Sequence, residues 1–359
     1  SNGSSSAQEI VSAPTSSVAA SEGVVPSPSS AASTPAIRFE ALEPRVLLSG
    51  DVNPSAIAIT GSIDAPGQQN HYQFTVQNSH RVVFDSLTNR SDLNWSLSGP
   101  TGQIASNNFN DDTGSGIAAF DLAPGTYTIT IDGSADAVGS YALRVIDAAA
   151  AKAITPDTAV ADSLTSGNST AVYRFDATAG QQFYFSHAGT SGGSAPWQLL
   201  DPYGRLEGGS YDMNTDRDVF TAQCSGEYLL MVEGGSSNVA PINYGFTLQN
   251  VVNTSDVLTL DAQTVAHIGS AGMTASYTFS LDGSTPVLFD KLTDAGFYWS
   301  LSGPRGTEVA RIDVNGSSQD ALLSRLPAGD YTLSNYRDGA TTVDYPFHLL
   351  KGASARPVA

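Results

Sequence analysis

WSLSGPTG stands at Trp95–Gly102 and WSLSGPRG at Trp299–Gly306, with a looser WQLLDPYG at Trp197–Gly204 between them. These hold the chain's three tryptophans, each 102 residues from the next. Around each anchor four further landmarks recur in constant order. HYQF (Tyr72, Phe74) is answered by VYRF (Tyr173, Phe175) and SYTF (Tyr277, Phe279). VVFD with Phe84 returns as FYFS with Phe185 and VLFD with Phe289. LAPGTYTIT carries Tyr127, CSGEYLLMV carries Tyr228 and LPAGDYTLS carries Tyr331. YALRV, YGFTL and YPFHL close the units from Tyr141, Tyr244 and Tyr345. Self-similarity of this kind marks tandem units, here expected at 54–150, 153–252 and 255–351.

Each landmark alternates. Tyr127, Ile129 and Ile131 point one way while Thr128 and Thr130 point the other; Tyr141, Leu143 and Val145 behave alike. Period two over short runs, punctuated by Gly, Pro, Asn and Asp, marks half-buried antiparallel strands. Roughly seven to nine such runs per unit suit a sandwich or jelly roll. No 3.6-residue period appears inside a repeat. The fold class expected is therefore all-β: three tandem antiparallel, jelly-roll-like β-sandwiches. Within WSLSGP the Trp and the Leu two residues on share a strand face, and Ser-Gly-Pro-x-Gly makes the turn. The same alternation places the indole in each core, against the competing reading of a surface ring that stacks on sugar.

The charge balance, 16 basic against 35 acidic residues and a net −19, argues against nucleic acid or an anionic membrane as partner, because both need clustered cations. A lone Cys224 rules out an intrachain disulfide. No apolar run reaches ~18 residues, so no transmembrane helix is expected. Residues 1–36 are mostly Ser, Ala, Pro, Thr and Gly, with few large apolar side chains and no Lys or Arg; such a leader buries too little to offset its ordering entropy and reads as flexible. The start shows neither the basic nor the apolar region of a signal peptide. Residues 37–53 then hold the abrupt IRFEALEPRVLLSGD.

The repeats resemble the bacterial pre-peptidase C-terminal (PPC) domain. The motifs that carry this are GSIDAPGQQNHYQFTV, the W-x-L-x-(G/D)-P-x-G centre, an acidic Gly-rich loop, and, in the first unit, the FDLAPGTYTI strand with its closing G-x-Y-x-L. The second unit departs most, with YDMNTDRDVF as its loop and CSGEY in place of APGTY. The likeness spans about 300 residues and implies small modules that assist adhesion, substrate contact or folding of exported proteins. FEALEPRVLLSGD in turn resembles the LEPR-x-LL motif of very large exported proteins of Gram-negative bacteria, matched by Leu42, Glu43, Pro44, Arg45, Leu47, Leu48 and Ser49. The residues themselves suggest a short helix with Pro44 in its first turn. Its role is either recognition in export, sorting or anchoring, or docking on the first sandwich.

Candidate chemistry is sparse. The first unit offers Asn108, Asn110, Asp111 and Asp112 with Asp121 beyond; the second alternates Asp212, Asn214, Asp216 and Asp218; the third has Asp313, Asn315 and Asp320. Hard oxygens at alternate positions of a turn are ligands for Ca²⁺, and the family resemblance also implies calcium there. None completes an EF-hand loop, and Asp and Asn are ordinary turn formers. Gly189-Thr190-Ser191-Gly192-Gly193 matches GxSxG, but its context is strand rather than the strand-turn-helix of a nucleophile elbow. The five histidines occupy unrelated repeat positions without paired spacing.

The function expected is a non-catalytic, extracellular or cell-surface array of structural and adhesive modules, its partners protein or glycan surfaces or further copies of itself. Two alternatives stand beside it. One is a set of carbohydrate- or collagen-binding accessory modules of a secreted hydrolase, with Tyr203, Tyr211, Tyr298 and Tyr336 as ligand platforms. The other is a self-assembling surface filament subunit. The short connectors near 147–157 and 250–257 predict limited bending between units.

Overall fold

The structure is a computed structural model that describes residues 38–41, 56–111, 119–313, 321–337 and 342–352. The leader lies outside these residues. From 37 onward the chain is one compact unit, built as three β-sandwiches in series.

In the first sandwich one sheet runs β1 (Arg38–Ala41), β3 (Gln69–Val76), β8 (Gly125–Gly133), β5 (Leu93–Gly99), β6 (Gly102–Asn108). Its partner sheet runs β2 (Ala56–Ile63), β9 (Gly139–Asp147), β4 (His80–Ser86), β7 (Ala119–Leu122). Counting the eight strands of the repeat from β2, the orders are 2-7-4-5 and 1-8-3-6. That is the jelly roll. The third sandwich repeats it. One sheet is β18 (Thr254–Val257), β20 (Thr274–Leu281), β25 (Gly329–Tyr336), β22 (Tyr298–Gly303), β23 (Gly306–Asp313). The other is β19 (Gln263–Ile268), β26 (Val343–Lys351), β21 (Thr285–Lys291), β24 (Ala321–Leu326).

The second sandwich lacks one strand. Its sheets are β10 (Lys152–Ala153), β12 (Thr170–Ala177), β16 (Gly226–Glu233), β14 (Trp197–Leu200) and β11 (Ala159–Leu164), β17 (Ile242–Val251), β13 (Gln182–Ser191), β15 (Arg217–Thr221). Where its sisters place β6 and β23, it has only the bridges Trp197↔Tyr211 and Leu200↔Leu206.

The motifs persist because they pack on one another. All three indoles are buried, Trp95 at 3% exposure and Trp197 and Trp299 at 1%. Each stacks on the phenylalanine of the preceding landmark: Phe84 at 4.8 Å, Phe185 at 4.0 Å, Phe289 at 4.5 Å. The tyrosine of G-x-Y donates to the carbonyl four residues back in every copy, Tyr127 to Ala123, Tyr228 to Cys224 and Tyr331 to Pro327. That ring covers the Gly of WSLSG so closely that a Cβ on Gly99 or Gly303 would lie 2.4 or 2.3 Å from it. Asp201 takes this place in the second copy. It is wholly buried, and its carboxylate caps the turn through the amides of Tyr203 and Arg205.

Part of each connector is strand: β10 and β18 each add in parallel to the edge of the following sandwich. Arg38–Ala41 extends antiparallel along β3, and the helix expected around Pro44 lies outside the described residues. An open sheet edge offers its backbone groups partners that an isolated turn of helix cannot.

Candidate functional site

The first two sandwiches meet sheet to sheet. Inward positions of β4 and β9 build the first core, so the alternate residues Val83, Asp85, Arg144 and Ile146 face outward. They are covered by Val172, Leu229 and Met231, the outward residues of β12 and β16, together with Leu200. This explains CSGEYLLMV. Its sisters alternate Tyr-Thr-Ile-Thr and Tyr-Thr-Leu-Ser, whereas Leu229 and Met231 replace the hydroxyls because both faces of β16 are buried.

A polar cluster lies inside this apolar junction. Asp85 is wholly buried; Arg144 Nε donates to Asp85 Oδ2 at 2.6 Å. The pair grips both backbone groups of one residue of the second sandwich, Thr170. Thr170 N–H donates to Asp85 Oδ1, and Arg144 Nη2 donates to the Thr170 carbonyl, both at 3.1 Å. Burial pushes the Asp85 carboxyl up to about 6 against the pull of Arg144 and the Thr170 amide. Glu233, at the end of β16, rises to about 7 through burial and then through the charges of Asp85 and Asp111. It lines a cleft with Asn110, Asp111, Pro196 and Gln198. At the rim, Arg81 holds Asp121 with two hydrogen bonds and donates to the carbonyls of Asp201 and Pro202.

The second junction is smaller. Tyr184, Val219 and Val251 meet Ala271. Asn253 ties it, donating to Gln182 Oε1 and accepting from the Thr274 amide.

The acidic residues take separate partners. Asp212 accepts from the Asn214 amide, Asn214 Oδ1 from the Thr190 amide and hydroxyl, and Asp216 from the His187 amide, His187 Nδ1 and Tyr184 hydroxyl. Asp218 is exposed on β15. Asn110 and Asp111 reach the junction cleft, and Asp112 lies outside the described residues. Among the described residues no three His, Cys, Asp or Glu side chains converge. Leu42, Glu43, Pro44, Arg45, Leu47 and Leu48 also lie outside them. Gly189–Gly193 straddles the end of β13 and the turn after it, with no helix following.

Two of the four platform tyrosines come together. Tyr298 and Tyr336, opposed on β22 and β25, stack at 5.9 Å, and the Arg311 guanidinium lies 3.7 Å from the Tyr298 ring. Tyr211 instead packs on Trp197 beneath Arg217, and Tyr203 stands alone at 69% exposure beside Arg205. The residues that sequence reasoning missed are Asp85, Arg144, Arg81 and Glu233. Their one signal was the unbroken Leu-Leu-Met-Val run opposite them.

No protein-family model and no curated protein matches the chain. Among solved structures, the CUB1-EGF-CUB2 domain of human MASP-1/3 aligns at 9% identity and TM-score 0.18, covering 53% of this chain and 99% of that one. Lac15 from a marine microbial metagenome aligns at 11% identity and TM-score 0.16, covering 81% and 88%. No helix among the described residues is long and apolar enough to cross a membrane.

Proposed function

We propose that the chain is a non-catalytic, extracellular array of PPC-like modules whose first two sandwiches form a stiff spacer that holds adhesive surfaces at fixed separation. The supporting observation is the junction built around Asp85, Arg144 and Thr170. A flexible tether needs no buried ion pair and no sheet that is apolar on both faces; a spacer that transmits position needs both to suppress sliding. The LEPR-x-LL segment, whose preceding four residues extend the β3 edge, serves in this reading as the handle for export or anchoring. The test is solution scattering of the chain beside a Leu229→Thr/Met231→Thr variant, which restores the alternation of the sister strands. The wild type is expected to fit one arrangement of the first two sandwiches and the variant a broad ensemble. Equal flexibility in both would contradict the spacer.

The alternative of a glycan- or collagen-binding module is favoured by the Tyr298–Tyr336 stack with its overlying Arg311. Aromatic faces and a planar cation are the usual furniture of such a platform. Saturable binding to a glycan array or to collagen, lost in Tyr298→Ala, would favour this reading over the spacer.

A further inference from the structure

The third sandwich carries a copy of the face that, on the first, docks a neighbour. Asp85 opposes Arg144 and Val83 opposes Ile146 across β4 and β9. Across β21 and β26 the same register sets Asp290 against His348 and Leu288 against Leu350. His348 Nδ1 lies 3.1 Å from Asp290 Oδ2, so the acid–base pair is formed here too. The second sandwich differs at these positions. It has Tyr184, Ser186, Thr247 and Gln249 on β13 and β17, and of these Tyr184 enters its smaller contact with the third sandwich, without an acid–base pair. On the first sandwich the apolar–acid–base–apolar pattern accompanies the larger docking of a sheet face. On the third sandwich Asp290 and His348 keep 28% exposure each, and Leu292 and Val265 on the same face are 41% and 51% exposed.

We infer that this outer face of the β19–β26–β21–β24 sheet docks a second copy of the chain through the same face. The other sheets of the chain fit it poorly. The apolar outer face of β12 and β16 is already covered by the first sandwich. The corresponding faces of the first and third sandwiches are hydroxyl ladders, Thr126, Thr128 and Thr130 on β8, Thr332 and Ser334 on β25. The face itself is self-complementary. A two-fold axis between Asp290 and His348 sets the carboxylate of one copy against the imidazole of the other, twice, with Leu288 and Leu350 flanking. The inference stands independently of the spacer reading.

Sedimentation equilibrium of the full chain tests it, at concentrations up to about 0.1 mM. A reversible dimer is expected. His348→Asp, which sets carboxylate against carboxylate, should weaken it at least tenfold, and the exchanged pair Asp290→His/His348→Asp should restore it. Thr247→Arg, at the matching place on the second sandwich, should leave it unchanged. Hydrogen exchange on the wild-type chain needs no variant to fold. Protection of β21 and β26 should rise with concentration while that of β13 and β17 stays constant. A monomer at every concentration, a dimer indifferent to His348→Asp, or uniform concentration dependence of exchange would each overturn the inference.

Discussion

Asn335 occupies a position on β25 that its sisters fill with Ile131 and Val232. It is wholly buried, opposite Ala275 and Trp299, and neither its amide oxygen nor its nitrogen has a hydrogen-bond partner. A buried amide in that state carries its desolvation cost without return. Asn335→Val is therefore expected to raise the stability of the third sandwich by about 1–3 kcal/mol, read as a higher urea midpoint. A lower midpoint would show that the amide does useful bonding in solution. The alternation Tyr331, Leu333, Asn335 was legible as an inward series. What it did not disclose was the chemical mismatch, because an Asn near a strand end reads equally well as the beginning of a turn.

At the scale of elements, the strands that alternate were readable from their own residues, and so were the positions of the three indoles. The edge strands were not. Lys152–Ala153 and Thr254–Val257 have no apolar period of their own and become strands only because the following sandwich presents an open edge. The junction was hidden for a related reason. Asp85 and Arg144 sit at outward positions, where a charge normally signals solvent, and the neighbour that buries them is long-range in sequence. That burial has a pH consequence. Both junction carboxyls bind a proton more tightly folded than unfolded, Asp85 at about 6 against 3.8 and Glu233 at about 7 against 4.5. Their contribution is fully present below about pH 4 and is lost as the pH rises through about 6 and then about 7. Burial also pushes Asp201 upward, but the Arg205 and Tyr203 amides hold it below its ordinary range, so it stays ionised through this window. The first two sandwiches should accordingly resist urea better at pH 5 than at pH 8, with a flatter slope in Asp85→Asn. A midpoint that climbs between pH 5 and pH 8 would contradict this placement of the two carboxyls.

For the whole molecule the account makes one claim: three copies of a single jelly roll, the first two locked face to face and the third joined more lightly. The large junction covers Val83, Ile146, Leu229 and Met231, whereas the small one covers chiefly Tyr184, Val251 and Ala271. Unfolding either of the first two sandwiches uncovers the apolar face of the other, which couples them; little couples the third. The spacer reading rests on the larger of these junctions. Fluorine NMR of the chain labelled with 5-fluorotryptophan follows all three cores at once without substitution. The account predicts three dispersed resonances shielded from a soluble quencher, with those of Trp95 and Trp197 disappearing together as urea is added and that of Trp299 following its own midpoint. An indole open to the quencher in the native protein, or separate midpoints for Trp95 and Trp197, would contradict it.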